Sequence, residues 1–339
     1  MSGRFSGTRR SVTGGLALFL SACAGPRVQG ALIPPDGFTG PAIETEALVM
    51  HDGARLPYLV WRPEAQPPTA VIVALHGMND HRTAFRLAGP WWAQRGLATY
   101  AYDQRGFGRA PGRGTWAGPL MQEDLRTVVA LVRQAHPGLP VVVVGESMGG
   151  AVAITAFASD RPPAADRLVL LAPAVWGWSS QAPLNRAALW VAARAMGGRA
   201  VQAPDWAVRN IRASDNLPEL IRNGRDPDFI RSTRFDALSG LVDLMEDASL
   251  ALGRTRVPTL LIYGAHDQII EKRPMRLALE RAGSRANLRT AWHANGWHLL
   301  NRDLQAPVVY ADVEAFVRDP DAPLPSGAPE VLPRLTASR

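Results

Sequence analysis

The chain has 339 residues, of which 47% are hydrophobic and 20% charged; this balance suits a folded globular body and excludes a disordered or collagen-like chain. That length accommodates one large α/β domain with an insertion. The formal charge of +7 is carried almost wholly by arginine, Lys272 being the only lysine, and with no basic stripe or recognised motif nucleic-acid binding is not expected.

At the N-terminus, Arg4, Arg9 and Arg10 precede an apolar run from Val12 to Ala22. The run is too short to cross a bilayer and has the profile of a secretory signal peptide, so residues 1–22 are expected to be removed. Their loss lowers the formal charge from +7 to +4. The only cysteine falls at Leu20-Ser21-Ala22-Cys23, which resembles a bacterial lipobox. Cleavage before Cys23 would leave a lipidated, membrane-anchored and exported protein, with Ala24 pointing to the outer membrane. The alternative is ordinary cleavage around Ala22-Cys23-Ala24, leaving a secreted or periplasmic protein.

Residues 23–41 are rich in Gly and Pro and are expected to form a loose tether. Glu44–Met50 and Leu56–Trp61 alternate as strands and meet at Asp52-Gly53, a hairpin signal. Val71–Leu75 is an apolar strand running into His76-Gly77-Met78. A strand at Leu97–Tyr102, a helix at Pro119–Gln134 and a strand at Val141–Val144 follow. This alternation predicts an α/β fold, a mostly parallel sheet with helices on both faces. From Trp176 to Phe235 it stops; the segment is helical in character, has no strand-like run, and holds Trp176, Trp178, Trp190 and Trp206. It is expected to cap the site, its tryptophans serving either acyl chains and a membrane interface or the cap's own small core. Beyond it come a helix at Gly240–Leu252, strands at Thr259–Gly264 and Leu288–Trp292, and a last helix at Val308–Val317. The core is thus assigned to 42–175 and 236–318, the helical cap to 176–235, and residues 319–339, with five prolines, to a disordered tail.

The chemistry is concentrated at Gly145-Glu-Ser147-Met-Gly149, between the valine strand and an apolar helical stretch. A G-x-S-x-G pattern alone is weak, and a capping serine on a Gly-rich turn is the plain alternative. In a strand–turn–helix setting it is the signature of a nucleophile elbow, which lifts Ser147 clear of the sheet at a helix N-terminus. Asp267 follows the strand at Thr259–Gly264, and His298 follows the one at Leu288–Trp292. An aspartate in such a place is usually a turn residue, and a histidine beside Trp297 is usually packed. Ser147, Asp267 and His298 nevertheless stand in the chain order of the α/β-hydrolase triad, each past a strand end. The backbone N–H groups of Met78 and Met148 are the candidate oxyanion donors.

Gly-Glu-Ser-Met-Gly-Gly at 145–150, Asp103-x-Arg105-Gly-x-Gly108, Tyr-Gly-x-x-Asp at 263–267 and Gly-Trp-His-x-Leu-x-x-Arg-Asp at 296–303 resemble the bacterial monoacylglycerol lipase and lysophospholipase group of α/β-hydrolases, over roughly residues 43 to 317. The resemblance implies an α/β-hydrolase fold, Ser147 as nucleophile, Asp267 as acid, His298 as base, Met78 and Met148 as oxyanion donors, a lid in the inserted segment, and a small lipophilic ester as substrate. The Arg105 segment is expected to shape the site and support the elbow. No cofactor is expected. The seven histidines show neither H-x-x-x-H nor H-E-x-x-H spacing, so no metal site is expected either. A serine peptidase acting on short peptides and a non-catalytic ligand-binding lipoprotein are the alternatives; the sequence carries no signal for an oligomeric state.

Overall fold

A run of four valines can be satisfied only by a strand buried on both faces, because successive side chains of a strand point to opposite sides. In a computed structural model describing residues 27–202 and 210–337, this run lies in strand β6 (Val141–Glu146). Val141 and Val143 enter one hydrophobic core, and Val142 and Val144 the other. Among the described residues a nine-stranded sheet holds, in chain order, β1 (Ala42–Ile43), β2 (Ala47–Val49), β3 (Arg55–Trp61), β4 (Ala70–Leu75), β5 (Leu97–Tyr102), β6, β7 (Arg167–Leu171), β10 (Thr259–Gly264) and β11 (Leu288–His293). The spatial order is β1-β2-β3-β5-β4-β6-β7-β10-β11. The strands from β5 to β11 run parallel, while β3 is antiparallel to β5.

Helices cover both faces. On one lie α2 (Leu120–Ala135), α3 (Met148–Phe157), α6 (Phe235–Ala251), α7 (Lys272–Ala282) and α9 (Val331–Ala337), contributing Leu125, Val152, Met245, Met275 and Val331 to the larger core. On the other, α1 (Ala88–Ala93) and α8 (Ala306–Arg318) supply Trp92, Val313 and Phe316. The two are joined by Trp92 Nε1–H donating to the Tyr310 carbonyl at 3.1 Å. The carboxyl ends of β4, β6, β10 and β11 therefore open on one edge, where ligands bind in sheets of this kind.

The inserted segment holds a 3₁₀ turn at Trp178–Ser180, α4 (Pro183–Met196), β8 (Ala200–Val201), α5 (Leu217–Arg225) and β9 (Thr233–Arg234). Contrary to the expectation of no strands, β8 and β9 pair as a two-stranded ribbon; two residues per strand are too few to leave an alternating pattern. Trp190 is half exposed on α4, whereas Trp176 and Trp178 pack partly buried against the larger core of the body and not in a core of the cap's own. Trp206, Cys23 and the signal segment lie outside the described residues.

Three further expectations are corrected. The tail at 319–339 is packed as far as residue 337. Ser326 donates to the buried Asp312 carboxylate through N–H (2.9 Å) and Oγ–H (2.6 Å). Trp292 N–H reaches the Pro329 carbonyl at 2.8 Å, and α9 buries Val331 and Leu335. The tether is likewise docked from Val28 on: it bridges Trp116, and Gln29 donates to the Gly112 and Thr115 carbonyls. Helix α6 also starts at Phe235, before Gly240 rather than at it. Gly240 is a packing residue, since a Cβ there would enter the Trp116 indole.

Candidate active site

Ser147 sits between β6 and α3 at φ 51°, ψ −116°, a left-handed conformation that a side-chain-bearing residue holds only when its surroundings impose it. Those surroundings are visible. Ser147 N–H donates to the Leu171 carbonyl at 3.0 Å, and the Ser147 carbonyl accepts from Ala174 at 2.9 Å and Ala151 at 3.1 Å. The flanking glycines are required by space: a Cβ on Gly145 would lie 2.6 Å from the Gly149 carbonyl oxygen, and one on Gly149 would strike the Leu75 and His76 carbonyls. Met148 is the first residue of α3, so its amide belongs to the open helix end.

The segment His76-Gly77-Met78 leaves β4 and runs over the elbow; a Cβ on Gly77 would be 3.3 Å from Ser147 Cβ. It is braced by the His76 ring, whose Nε2 accepts the Gln104 amide at 3.0 Å while Nδ1 lies 2.8 Å from the Gly77 carbonyl. That pattern fixes a neutral tautomer, and burial pulls the His76 pKa down accordingly. Met78 N–H makes no hydrogen bond to a described residue.

Asp267 and His298 are brought together by two adjoining strands, β10 and β11. Their following loops are zipped by Ala265 N–H to the His293 carbonyl and His266 N–H to the Gly296 carbonyl, both 2.9 Å, and the His266 ring stacks on Trp297. His298 Nδ1 stands 2.9 Å from Asp267 Oδ2, while Oδ1 accepts the Ile269 and Ile270 amides at 2.8 and 2.9 Å. Tyr263 adds a brace through its hydroxyl to the Ile270 carbonyl at 2.7 Å. Burial lowers the His298 pKa, but the Asp267 charge and hydrogen bond, helped by Glu146, outweigh it and the net shift is upward. An imidazole held this way keeps Nδ1 occupied and offers Nε2 as a base.

Ser147 Oγ forms no hydrogen bond to a described residue, so the structure joins Asp267 to His298 but does not join His298 to Ser147 through one. The His298 ring does feel the residue before the elbow: the Glu146 carboxylate favours its charged form. Arg105 itself reaches no candidate site residue: it bridges Asp52 in the β2–β3 turn (2.6 and 3.0 Å) and Asp124 on α2 (2.9 and 2.7 Å). Among the described residues no group of three or more His, Cys, Asp and Glu is arranged to hold a metal ion.

Four site residues escaped the sequence reading. Asp80, Glu146 and Arg302 form a buried ion cluster. Asp303 accepts the Trp297 amide at 2.7 Å and the Ser214 hydroxyl at 2.6 Å, and burial pushes its carboxyl up to about 7. Three of the four stand in the quoted motifs, Glu146 beside Ser147 and the Arg302-Asp303 pair, but the ion partners of Arg302 lie too far away in sequence to be inferred. The cap rests on both sides of this centre: Ile230 N–H donates to the Asn79 carbonyl at 2.9 Å, and Leu299 N–H to the Ala213 carbonyl at 2.9 Å. Against α4 opens a cavity of about 820 Å³ walled in part by Trp178, Pro183, Ala187 and Trp190; Ser147 and His298 do not line it.

The chain is similar to known proteins in sequence and in fold. The chain is 28% identical over 281 residues to a monoacylglycerol lipase of Mycolicibacterium smegmatis, covering 78% of this chain and 93% of the relative. It is 26% identical to the human monoglyceride lipase, over 76% of this chain and 84% of the relative. Among solved structures, a soluble variant of the Saccharomyces cerevisiae monoglyceride lipase superposes with a TM-score of 0.68 at 15% identity, covering 86% of this chain and all of that one. With the model of the Hydrolase_4 family (serine aminopeptidase, S33) matching residues 66–305, the chain belongs to that family and is an α/β-hydrolase of the monoacylglycerol lipase group.

Proposed function

We propose that this protein hydrolyses carboxylic esters of lipophilic acids, monoacylglycerols or lysophospholipids, by a two-step acyl transfer. Ser147 attacks the ester carbonyl while His298 Nε2 takes its proton, and Asp267 holds the ring in the tautomer this requires. The amides of Met78 and Met148 meet the oxyanion; such a donor typically contributes about 3–4 kcal/mol. His298 then returns the proton to the departing alcohol and activates the water that releases the acid. The observation that carries this reading is the constrained Ser147 elbow at the same sheet edge as the Asp267–His298 pair. Nucleophile–base hydrogen bonds in such sites commonly tighten only once substrate binds. Lipase relatives and the half-exposed tryptophan and apolar residues of α4 support a lipophilic acyl chain.

Ser147→Ala tests it: the variant should fold with an unchanged circular dichroism spectrum and lose nearly all turnover of a nitrophenyl butyrate ester. Parent-level turnover by that variant would refute the assignment. Peptidase action is the second reading, and the family description favours it. A substrate amine needs free carboxylates in the cap; of those described, Glu219, Asp226 and Asp228 are paired with arginine and Asp215 accepts the Leu304 amide, which supports the ester. A panel of glycerides, lysolipids and short peptides separates the substrates. Export and anchoring through a lipidated Cys23 complete the proposal: Cys23→Ser should move the protein from the membrane to the soluble fraction, and unchanged fractionation would refute the anchor.

A further inference from the structure

Three deeply buried charges come from segments far apart in sequence. Arg302, four residues beyond His298, donates through Nη1 to Asp80 at 2.6 Å and through Nη2 to Glu146 at 2.8 Å. Its side chain is 1% exposed, those of Asp80 and Glu146 6% and 0%. Asp80 lies two residues beyond Met78 and returns to its own loop by accepting the His81 amide at 2.8 Å; Glu146 immediately precedes Ser147. The Arg302 carbonyl in turn accepts from Asn216 of the cap at 2.8 Å.

A buried ion cluster is seldom the most stable way to fill a core, since apolar residues of similar volume often do as well or better. What it offers is fixed direction, because a guanidinium fork accepts its partners only in its own plane. Here the fork joins the elbow, the loop of the candidate oxyanion donor Met78 and the segment of the candidate base. We propose that Arg302 is a positioning residue, which through Asp80 and Glu146 sets the mutual placement of the Ser147 elbow, the Met78 amide and His298.

The inference rests on the serine-hydrolase reading. Burial raises the Glu146 carboxyl against the pull of Arg302, whereas the Arg302 and His76 charges outweigh burial and lower Asp80. The groups acting on His298 are Asp267 from the β10 loop, Glu146 from β6 and Arg302 from its own segment. Those acting on Glu146 are Arg302, Asp80 and His298.

The test uses the full chain with Arg302→Lys, Arg302→Met, and a triple variant Asp80→Leu, Glu146→Leu, Arg302→Met that leaves no buried charge unpaired. Each is followed by thermal unfolding, by kcat and KM on a short nitrophenyl ester, and by the rate of labelling with a fluorophosphonate. Positioning predicts that the folded triple variant loses at least 100-fold in kcat and in labelling rate with KM changed less than 3-fold, and that Arg302→Lys recovers part of what Arg302→Met loses. A folded triple variant that turns over and labels like the parent overturns the proposal. So does failure of both Arg302→Met and the triple variant to fold, which would make the cluster a support of the body alone. Absence of labelling in the parent would instead refute the serine-hydrolase reading.

Discussion

His298 shows how one side chain is tuned by competing effects that can be ranked. Burial disfavours the imidazolium, yet a carboxylate 2.9 Å from Nδ1 and a second at Glu146 favour it more strongly. The ring's pKa therefore stands above 6.5. A general base works only when neutral, so kcat/KM should rise with pH through an apparent pKa above that value. Asp267→Asn removes the larger of the two charges raising it. The rising limb should then move to lower pH while kcat falls about 10³- to 10⁴-fold. A pH–rate profile of both proteins on one soluble ester decides the matter; a limb left in place by Asp267→Asn would mean that the carboxylate does not act on the titrating group.

At the scale of elements, the tail is the clearest structural departure from the sequence reading. Deleting residues 319–339 would expose the surface under Val331 and Leu335, each contributing about 1.5–3 kcal/mol by burial, and strip Ser326 from the buried Asp312. The deletion should lower Tm by more than about 5 °C and leave kcat at 20 °C within a factor of two, since none of those contacts reaches Ser147 or His298. Calorimetry with a parallel assay checks both, and an unchanged Tm would show that the packing contributes nothing. The reason the tail was illegible is physical. Two apolar contacts among five prolines give no periodicity, whereas β4, β6 and β10 are unbroken apolar runs that only a doubly covered sheet explains. The Asp267–His298 pair was legible for the same reason, because each residue follows a strand and chain order then restricts the possibilities. Arg302 was not, since a buried arginine has no local signature and its partners lie 222 and 156 residues away. Helix α6 shows a smaller failure, where a glycine that reads as a boundary is in fact the gap that receives Trp116.

Taken whole, the molecule is a sheet whose chemistry lies at one edge and a cap whose contacts with the body include two beside the candidate catalytic segments. One is Asn79, beside the Met78 loop: its carbonyl accepts from Ile230 and its side-chain amide donates to Thr233 at 2.8 Å. The other is Asp303, whose carboxylate holds the Trp297 amide beside His298 and receives the Ser214 hydroxyl. Helix α4 is nearly all exposed, with Leu184 and Val191 among its outward residues and only Ala193 buried. The cap has no apolar core of its own: it is seated by polar contacts at its base and by Trp176, Trp178 and Ile230 packed on the larger core of the body. Removing one such contact should loosen the cap without disturbing the sheet. Ser214→Ala leaves a buried acceptor on Asp303 without its donor, at a cost of about 1–3 kcal/mol. If the cap holds the acyl chain, that cost falls mainly on substrates long enough to reach it. The variant should lose at least 5-fold more kcat/KM on a dodecanoyl nitrophenyl ester than on the butyryl ester. An equal loss on both would mean that the Ser214–Asp303 contact acts on the His298 loop alone and that the cap plays no part in chain recognition.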